Sequence, residues 1–137
     1  MKNLFLVLVA SALSLRVFAA EPIPPELVGE WVSPGTKFDG EAIVSGGAVY
    51  LGADGFAAII CTPPPIGMAG TASYDAKKRM LTLKLKDNSS PPQRQTVTII
   101  YDPNAQTLTS KPAQDVIKEN LKRRKDKIPK WVIEETK

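Results

Sequence analysis

Polar and apolar residues alternate along much of this 137-residue chain, and this period of two is its strongest structural signal. Between Met80 and Lys86 the leucines occupy every second position, as in a strand with one buried face. Runs rich in β-branched and aromatic residues predict the other strands. The predicted strands are residues 29–33, 42–51, 56–62, 71–74, 80–86, 96–101 and 107–109.

Glycine, proline and aspartate separate these segments at the spacing of hairpin turns. Residues 52–55 (Gly-Ala-Asp-Gly) predict a tight turn, and Gly46-Gly47 predicts a bend within a strand. Asp75 and Asp102 each follow a tyrosine and precede a Leu-Thr pair by the same interval, which indicates one turn design used twice. Because closure removes exposed sheet edges, we expect a mainly β fold over residues 27–110. It is an antiparallel meander curled into a small up-and-down barrel or half-barrel.

The alternation stops after Ser110. Pro112 and Asp115 suit the first turn of a helix. Apolar residues then recur on one face, at Val116, Ile117, Leu121 and Ile128. We therefore predict one C-terminal amphipathic helix, rich in lysine and arginine, over residues 111–128. Pro129 ends it, and residues 129–137 form a C-terminal segment in which 130–134 are predicted as a last short strand that docks Trp131.

The N-terminus has the pattern of a secretory signal peptide. Lys2 precedes an apolar run over residues 4–15, and small residues around Val17 and Ala19 predict cleavage after Ala19. The run is shorter than the roughly 20 residues that a membrane span needs. We expect a periplasmic or secreted protein with a single domain over residues 20–137. No cysteine directly follows the run, so a lipoprotein anchor is not expected.

Charge and cysteine content narrow the picture. The formal net charge is +4, and positive charge concentrates after residue 110, so an acidic body carries a basic end. Cys61 is the only cysteine and cannot form an internal disulfide. The sequence leaves open whether Cys61 is a buried apolar residue or pairs between molecules.

The residues of common catalytic and metal sites are scarce. The chain has no histidine, which excludes an imidazole base and a His-ligated metal, and one cysteine cannot build a zinc site. A pair of carboxylates could still act as acid and base. The candidates Glu30, Asp39, Glu41 and Asp54 lie mostly near predicted turns, where acidic side chains are ordinarily exposed. We therefore predict no enzyme activity, no catalytic residues, no metal and no cofactor.

Residues 63–70 (Pro-Pro-Pro-Ile-Gly-Met-Ala-Gly) have the composition of a loop, and an unusually apolar one. Ile66 and Met68 are costly to leave in water unless they cover something. They either plug one end of the barrel or contact a ligand or partner, and the sequence leaves both open. The candidate binding residues are Pro65, Ile66 and Met68 of this loop, with Tyr50 and Tyr74 of the predicted strands.

Gly29-Glu30-Trp31, at the start of the first predicted strand, combines with the meander and the late helix to resemble the calycin barrels, the lipocalins and their relatives. These barrels open with Gly-x-Trp, and a late Arg or Lys commonly packs across the Trp. The resemblance implies structural roles for Gly29 and Trp31, with Arg123 or Arg124 as the late cation. It implies no binding residues.

These observations favour an exported, non-catalytic binding protein. One hypothesis is a carrier that holds a small apolar molecule inside the curled sheet, beneath residues 63–70. The alternative is a protein-binding module, an inhibitor or immunity-type partner of another exported protein, that uses this loop and the basic helix. Nucleic acid is not expected as a partner, and contact with a membrane surface is not favoured. The oligomeric state stays open.

Overall fold

The computed structural model describes residues 22–63, 65–110 and 120–136. This part of the chain contains nine β-strands, a 3₁₀ turn (Pro25–Leu27) and one α-helix, α1 (Lys130–Glu135). The strands are β1 (Gly29–Val32), β2 (Lys37–Asp39), β3 (Ala42–Leu51), β4 (Phe56–Thr62), β5 (Ile66–Asp75), β6 (Met80–Lys86), β7 (Arg94–Asp102), β8 (Thr107–Ser110) and β9 (Leu121–Lys125). The predicted mainly β fold with one C-terminal helix is confirmed.

Antiparallel pairing follows chain order from β3 to β9, and β1 then pairs with both β9 and β3. Eight strands thus form a closed barrel. The remaining strand, β2, pairs with the first half of β3. Closure satisfies the backbone hydrogen-bonding groups at both edges of the sheet, which explains why a meander of this length does not stay open.

One hydrophobic cluster fills the inside of the barrel. The alternating leucines of β6 face inward, and so do Val97, Ile99 and Tyr101 of β7, as their pattern predicts. At one end of the barrel, Ile23 and Leu27 from the 3₁₀ turn region join the same cluster. Its largest fully buried members, all less than 2% exposed, are Trp31, Leu27, Leu51, Leu81, Leu83, Ile99, Leu108 and Leu121. A barrel of eight strands is narrow enough for side chains to fill it.

A second, smaller cluster lies on the outer face of the barrel, under α1. Val132 of α1 packs there with Ala48 and Tyr50 of β3 and Ala58 of β4, and all four are buried. The small side chains on this face of β3 and β4 let the helix approach the sheet. Trp131 and Ile128 complete the cluster as partly buried neighbours.

The repeated turn design is confirmed. Asp75 Oδ1 accepts hydrogen bonds from the backbone N–H groups of the second and third residues after it, at 3.0 and 3.2 Å. Asp102 does the same at the same two distances. Both turns end on a residue in the left-handed region, Arg79 (φ 53°) and Gln106 (φ 54°). Aspartate stabilises such turns because its side chain mimics a backbone acceptor.

The predicted loop over residues 63–70 is wrong for most of its length. β5 begins at Ile66, so the connection between β4 and β5 is residues 63–65. Ile66 pairs with Cys61, and Gly70 lies so close to β6 that a Cβ on it would overlap the Lys84 carbonyl oxygen. Glycine weakens a strand locally. Here the close approach of two backbones requires it.

The predicted C-terminal elements are exchanged in the structure. Residues 111–119 of the predicted helix lie outside the described residues, and its remainder is wrong because Leu121–Lys125 form β9. Residues 130–134, predicted as a strand, belong to α1. Tertiary packing overrides the local pattern, since Leu121 completes the inner cluster and Val132 the outer one.

The predicted signal peptide, residues 1–19, lies outside the described residues and stays a prediction. Within the described ranges, no helix has the length and apolar character that crossing a membrane requires.

Candidate functional site

A groove of about 570 Å³ lies where the ends of β3 to β6 meet the end of α1. We call it the rim groove. Lys86 at the end of β6 and residues 87–89 after it contribute polar groups to the groove, and α1 contributes Glu135 and the adjoining Thr136. Its large apolar lining residues are Ile43, Ile60, Ile66, Met68 and Trp131. The groove therefore combines an apolar surface with polar borders, as small-molecule sites do.

Three of the five candidate binding residues meet in the rim groove. Pro65, Ile66 and Met68 line it. Ile66 is 42% exposed, whereas Met68 is half-buried and packs against the inner cluster. Tyr50 and Tyr74 lie elsewhere: Tyr50 is fully buried on the outer face, and Tyr74 packs against the inner cluster. The prediction that residues 63–70 are apolar and partly exposed thus located the groove, although most of them belong to a strand.

Sequence reasoning missed the other apolar residues of the rim groove. Ile43 and Ile60 lie on neighbouring strands, and Trp131 arrives from the C-terminal helix. The signal that could have found Ile60 is the apolar character of β4 on both faces, since a strand with two apolar faces needs a cover on each. Nothing local to Trp131 indicates that α1 packs beside β4.

The polar border formed by residues 87–89 is an ordered turn. The Ser89 hydroxyl and the backbone N–H groups of Gln93 and Ser89 donate to Asp87 Oδ1. These hydrogen bonds, that from the Ser89 hydroxyl foremost, hold the pKa of Asp87 below its ordinary value. Asp87 is therefore ionised at neutral pH.

Cys61 also lines the rim groove. Burial raises the pKa of its thiol to about 11. Because only the thiolate is a strong nucleophile, Cys61 is poorly reactive at neutral pH. The groove is thus suited to non-covalent binding rather than to chemistry at sulfur.

A buried polar cluster lies between the barrel wall and α1. Glu30 of β1 is completely buried, in contrast to the expectation of exposed carboxylates near turns, and its Oε1 accepts a hydrogen bond from Arg124 Nη1 at 2.9 Å. Tyr50 is its cross-strand partner on β3. Burial, and then the neighbouring Glu30 carboxylate, raise the pKa of Tyr50. The Tyr50 ring meets the Trp131 ring edge to face, with centroids 6.1 Å apart.

The two candidate late cations have different positions. Arg123 lies opposite Trp31 in the pairing of β1 with β9. It donates to the carbonyl oxygens of Val28 and Pro25, next to the 3₁₀ turn. The indole N–H of Trp31 donates to the Leu27 carbonyl of the same turn at 2.9 Å. Arg123 and Trp31 therefore both fasten the N-terminal segment across one end of the barrel.

Arg124 points to the outer face instead. Its guanidinium stands over the Phe38 ring of β2, 3.8 Å from the centroid, while it pairs with Glu30. The neighbouring Lys125 pairs with Glu41 at 2.8 Å. Gly29 has φ 131° and lies against the backbone of Lys125, so a larger residue would not fit there. These contacts serve the fold rather than a ligand.

The rim groove lies at one end of a closed, eight-stranded antiparallel β-barrel. No family model, no curated protein and no solved structure matches the chain. Within residues 22–63, 65–110 and 120–136, no three His, Cys, Asp or Glu side chains are grouped so that they could hold a metal ion.

Proposed function

We propose that this chain is an exported, lipocalin-like, non-catalytic binding protein that holds a small apolar molecule in the rim groove. The observation that carries the proposal is Ile66, an isoleucine 42% exposed within a concave surface. The volume of the groove, about 570 Å³, falls in the range of roughly 300–1,000 Å³ that is typical of ligand sites. A small molecule that fills the groove would remove Ile66 from water.

The rim groove is a better location for this molecule than the interior of the barrel. Trp31, Leu83 and Ile99 are at most 1% exposed and belong to the hydrophobic cluster that fills the interior. A ligand placed there would have to displace well-packed side chains. A ligand in the rim groove displaces only water.

The alternative function, a protein-binding module, uses residues 63–70 together with a basic surface near the C-terminus. In the described part of that region, Arg123, Arg124 and Lys125 are all engaged with oxygen atoms of the same chain. The charges of Arg124 and Lys125 are partly neutralised by Glu30 and Glu41. This favours the small-molecule hypothesis over the protein-binding one.

A neutral apolar dye, N-phenyl-1-naphthylamine, tests the proposal because its fluorescence rises in an apolar site. We expect saturable binding by the chain and about tenfold weaker binding by Ile66→Ser, since the variant loses apolar contact area. Ile133→Ser is the matched control. Ile133 is 43% exposed, against 42% for Ile66, but it does not line the rim groove.

Equal loss of dye binding in the two variants would refute the groove as the site, and so would equal retention. Binding that is lost only in Ile66→Ser, at unchanged unfolding free energy, supports it. Native mass spectrometry of the purified chain adds a second readout: a co-purifying small molecule supports a carrier, whereas a stoichiometric protein supports the alternative.

A further inference from the structure

We infer that Tyr50, which does not line the rim groove, is the positioning residue that sets one of its walls by holding α1 against the barrel. The consequence for ligand binding rests on the proposed function, but the docking of α1 does not. Trp131, Glu135 and Thr136 all line the groove, so the position of α1 determines its width.

Helix α1 cannot hold its position without contacts to the barrel. It has six residues, and helices shorter than about 12 residues are marginal in water on their own. At its N-terminal end no side chain caps the exposed N–H groups, and Pro129 occupies the N-cap position. At its C-terminal end the Thr136 hydroxyl donates to the Val132 carbonyl, a single local contact. Its attachment therefore comes from the side chains that face the barrel, Trp131 and Val132.

Tyr50 is the largest barrel residue of the outer cluster and the one that contacts Trp131 ring to ring. It is 0% exposed, and the two ring planes meet at 80° with centroids 6.1 Å apart. The pairing of β3 with both β1 and β4 fixes its backbone, opposite Glu30 on one side and Ala58 on the other. The Tyr50 ring is thus held in a fixed position, and its contact with the Trp131 ring positions Trp131.

Unsatisfied polar atoms concentrate at this same contact. Among the described residues, three buried side-chain nitrogen or oxygen atoms have no hydrogen-bond partner: Glu30 Oε2, the Tyr50 hydroxyl and Trp131 Nε1. Glu30 and Tyr50 are cross-strand neighbours, and Tyr50 contacts Trp131. Neither the Tyr50 hydroxyl nor Trp131 Nε1 hydrogen-bonds to the other side chain, so ring packing is what joins the two.

Because α1 is short and is held by the packing of Trp131 and Val132, we expect its contact with the barrel to open more readily than the strand pairings of the barrel. A ligand in the rim groove touches both α1 and the barrel and binds the docked state better than the open one. By linkage, occupancy of the groove and docking of α1 stabilise each other.

The two tryptophans make this testable by ¹⁹F NMR of chain labelled with 5-fluorotryptophan. Trp31 is 1% exposed inside the barrel and reports on its integrity, whereas Trp131 reports on α1. In Tyr50→Phe, which keeps the ring and removes the hydroxyl, we expect both resonances in place. In Tyr50→Leu we expect the Trp131 resonance to move to its solvent-exposed position while that of Trp31 stays.

Hydrogen exchange gives a second measurement. The Thr136 amide donates to the Val132 carbonyl at the end of α1, and its exchange should accelerate at least ~10-fold in Tyr50→Leu and not in Tyr50→Phe. Should Tyr50→Leu also move the Trp31 resonance, Trp131→Leu removes the same ring contact from the helix side, and faster exchange at Thr136 is again expected. An unchanged Trp131 resonance in Tyr50→Leu, or unchanged exchange at Thr136 in Trp131→Leu, would overturn the inference.

Titration with N-phenyl-1-naphthylamine separates this inference from the proposed function. Weaker dye binding in Tyr50→Leu and normal binding in Tyr50→Phe support the positioning role. Displaced α1 with unchanged dye binding overturns that role. If the unaltered chain binds no dye, the proposed function fails, while the ¹⁹F and exchange measurements still decide whether Tyr50 holds α1.

Discussion

The ion pair between Glu30 and Arg124 has a fully buried carboxylate. Replacing Arg124 with methionine tests how much this pair contributes to the free energy of unfolding. Glu30 is fully buried, and Arg124 provides the hydrogen bond to its Oε1. Its Oε2 is among the described atoms that are buried without a partner. Arg124→Met therefore removes the hydrogen bond to Oε1 and leaves the buried carboxylate without its cation.

The expected loss can be worked out from this geometry. Removing one partner of a buried ion pair costs about 3–5 kcal/mol. The Arg124 side chain is 29% exposed, so water screens part of the interaction and we take the lower end, about 3 kcal/mol. The stacking on Phe38 adds up to about 1 kcal/mol, which methionine partly retains through apolar contact.

A double-mutant cycle measured by urea denaturation isolates the coupling. Glu30→Gln alone loses the charge and keeps a polar group, and the double variant Glu30→Gln/Arg124→Met no longer buries a charge. Because the damage in Arg124→Met comes from the orphaned carboxylate, the double variant should be more stable than Arg124→Met by at least ~1 kcal/mol. Additive effects, or a loss below about 0.5 kcal/mol for Arg124→Met, would refute the reasoning.

Three further predictions concern separate parts of the fold. Arg123→Ala loses its hydrogen bonds to the carbonyls beside the 3₁₀ turn, so urea denaturation should show a loss of about 1–2 kcal/mol, whereas the exposed neighbour Lys122→Ala should stay within about 0.5 kcal/mol. The pKa of Cys61 is raised to about 11, so at pH 8 its thiol should react with iodoacetamide about 100-fold more slowly than a thiol of pKa 9.0. The reaction rate should rise steadily up to pH 11. Ordinary reactivity at pH 8 would contradict the burial of the thiol. Gly70→Ala should lower the unfolding free energy by about 3 kcal/mol or more, because the new Cβ would overlap a carbonyl oxygen of β6. Gly67→Ala in the same strand meets open space and should be neutral within about 0.5 kcal/mol. Equal effects of the two variants in thermal unfolding would exclude backbone overlap as the cause.

The elements that the sequence predicts well are those whose cause is local. β3, β4 and β6 have the predicted bounds. β6 is marked by its period of two, β3 and β4 by their β-branched and aromatic residues, and each adjoins a turn that contains aspartate or glycine. In the turn before β4, the Phe56 N–H donates to Asp54 Oδ1 at 3.1 Å, a contact between residues two positions apart. Such contacts form in any context, so the pattern suffices.

The elements that the sequence does not predict have distant causes. β5 is a strand because β4 and β6 pair with it along its length, and its Gly70 is explained only by the approach of β6. The strand β2 has three residues, too few to show a period, and pairs with β3 across a register shift. The burial of Glu30 depends on residues more than 90 positions away, so no local signal distinguishes it from an exposed turn carboxylate.

The strand that closes the barrel, β9, also has distant causes. β9 has one buried apolar residue, Leu121, and pairs with β8 over two residue pairs only. Hydrophobic alternation therefore cannot set its register, as it does for β6 and β7. The register is set by side-chain contacts on both faces: Arg123 reaches the carbonyls at the end of the barrel, and Arg124 reaches Glu30 on the outside. A shift by one residue would exchange these faces and leave Glu30 buried without its cation. Three of the basic residues near the C-terminus, Arg123, Arg124 and Lys125, thus have contacts within the chain at the strand that closes the barrel.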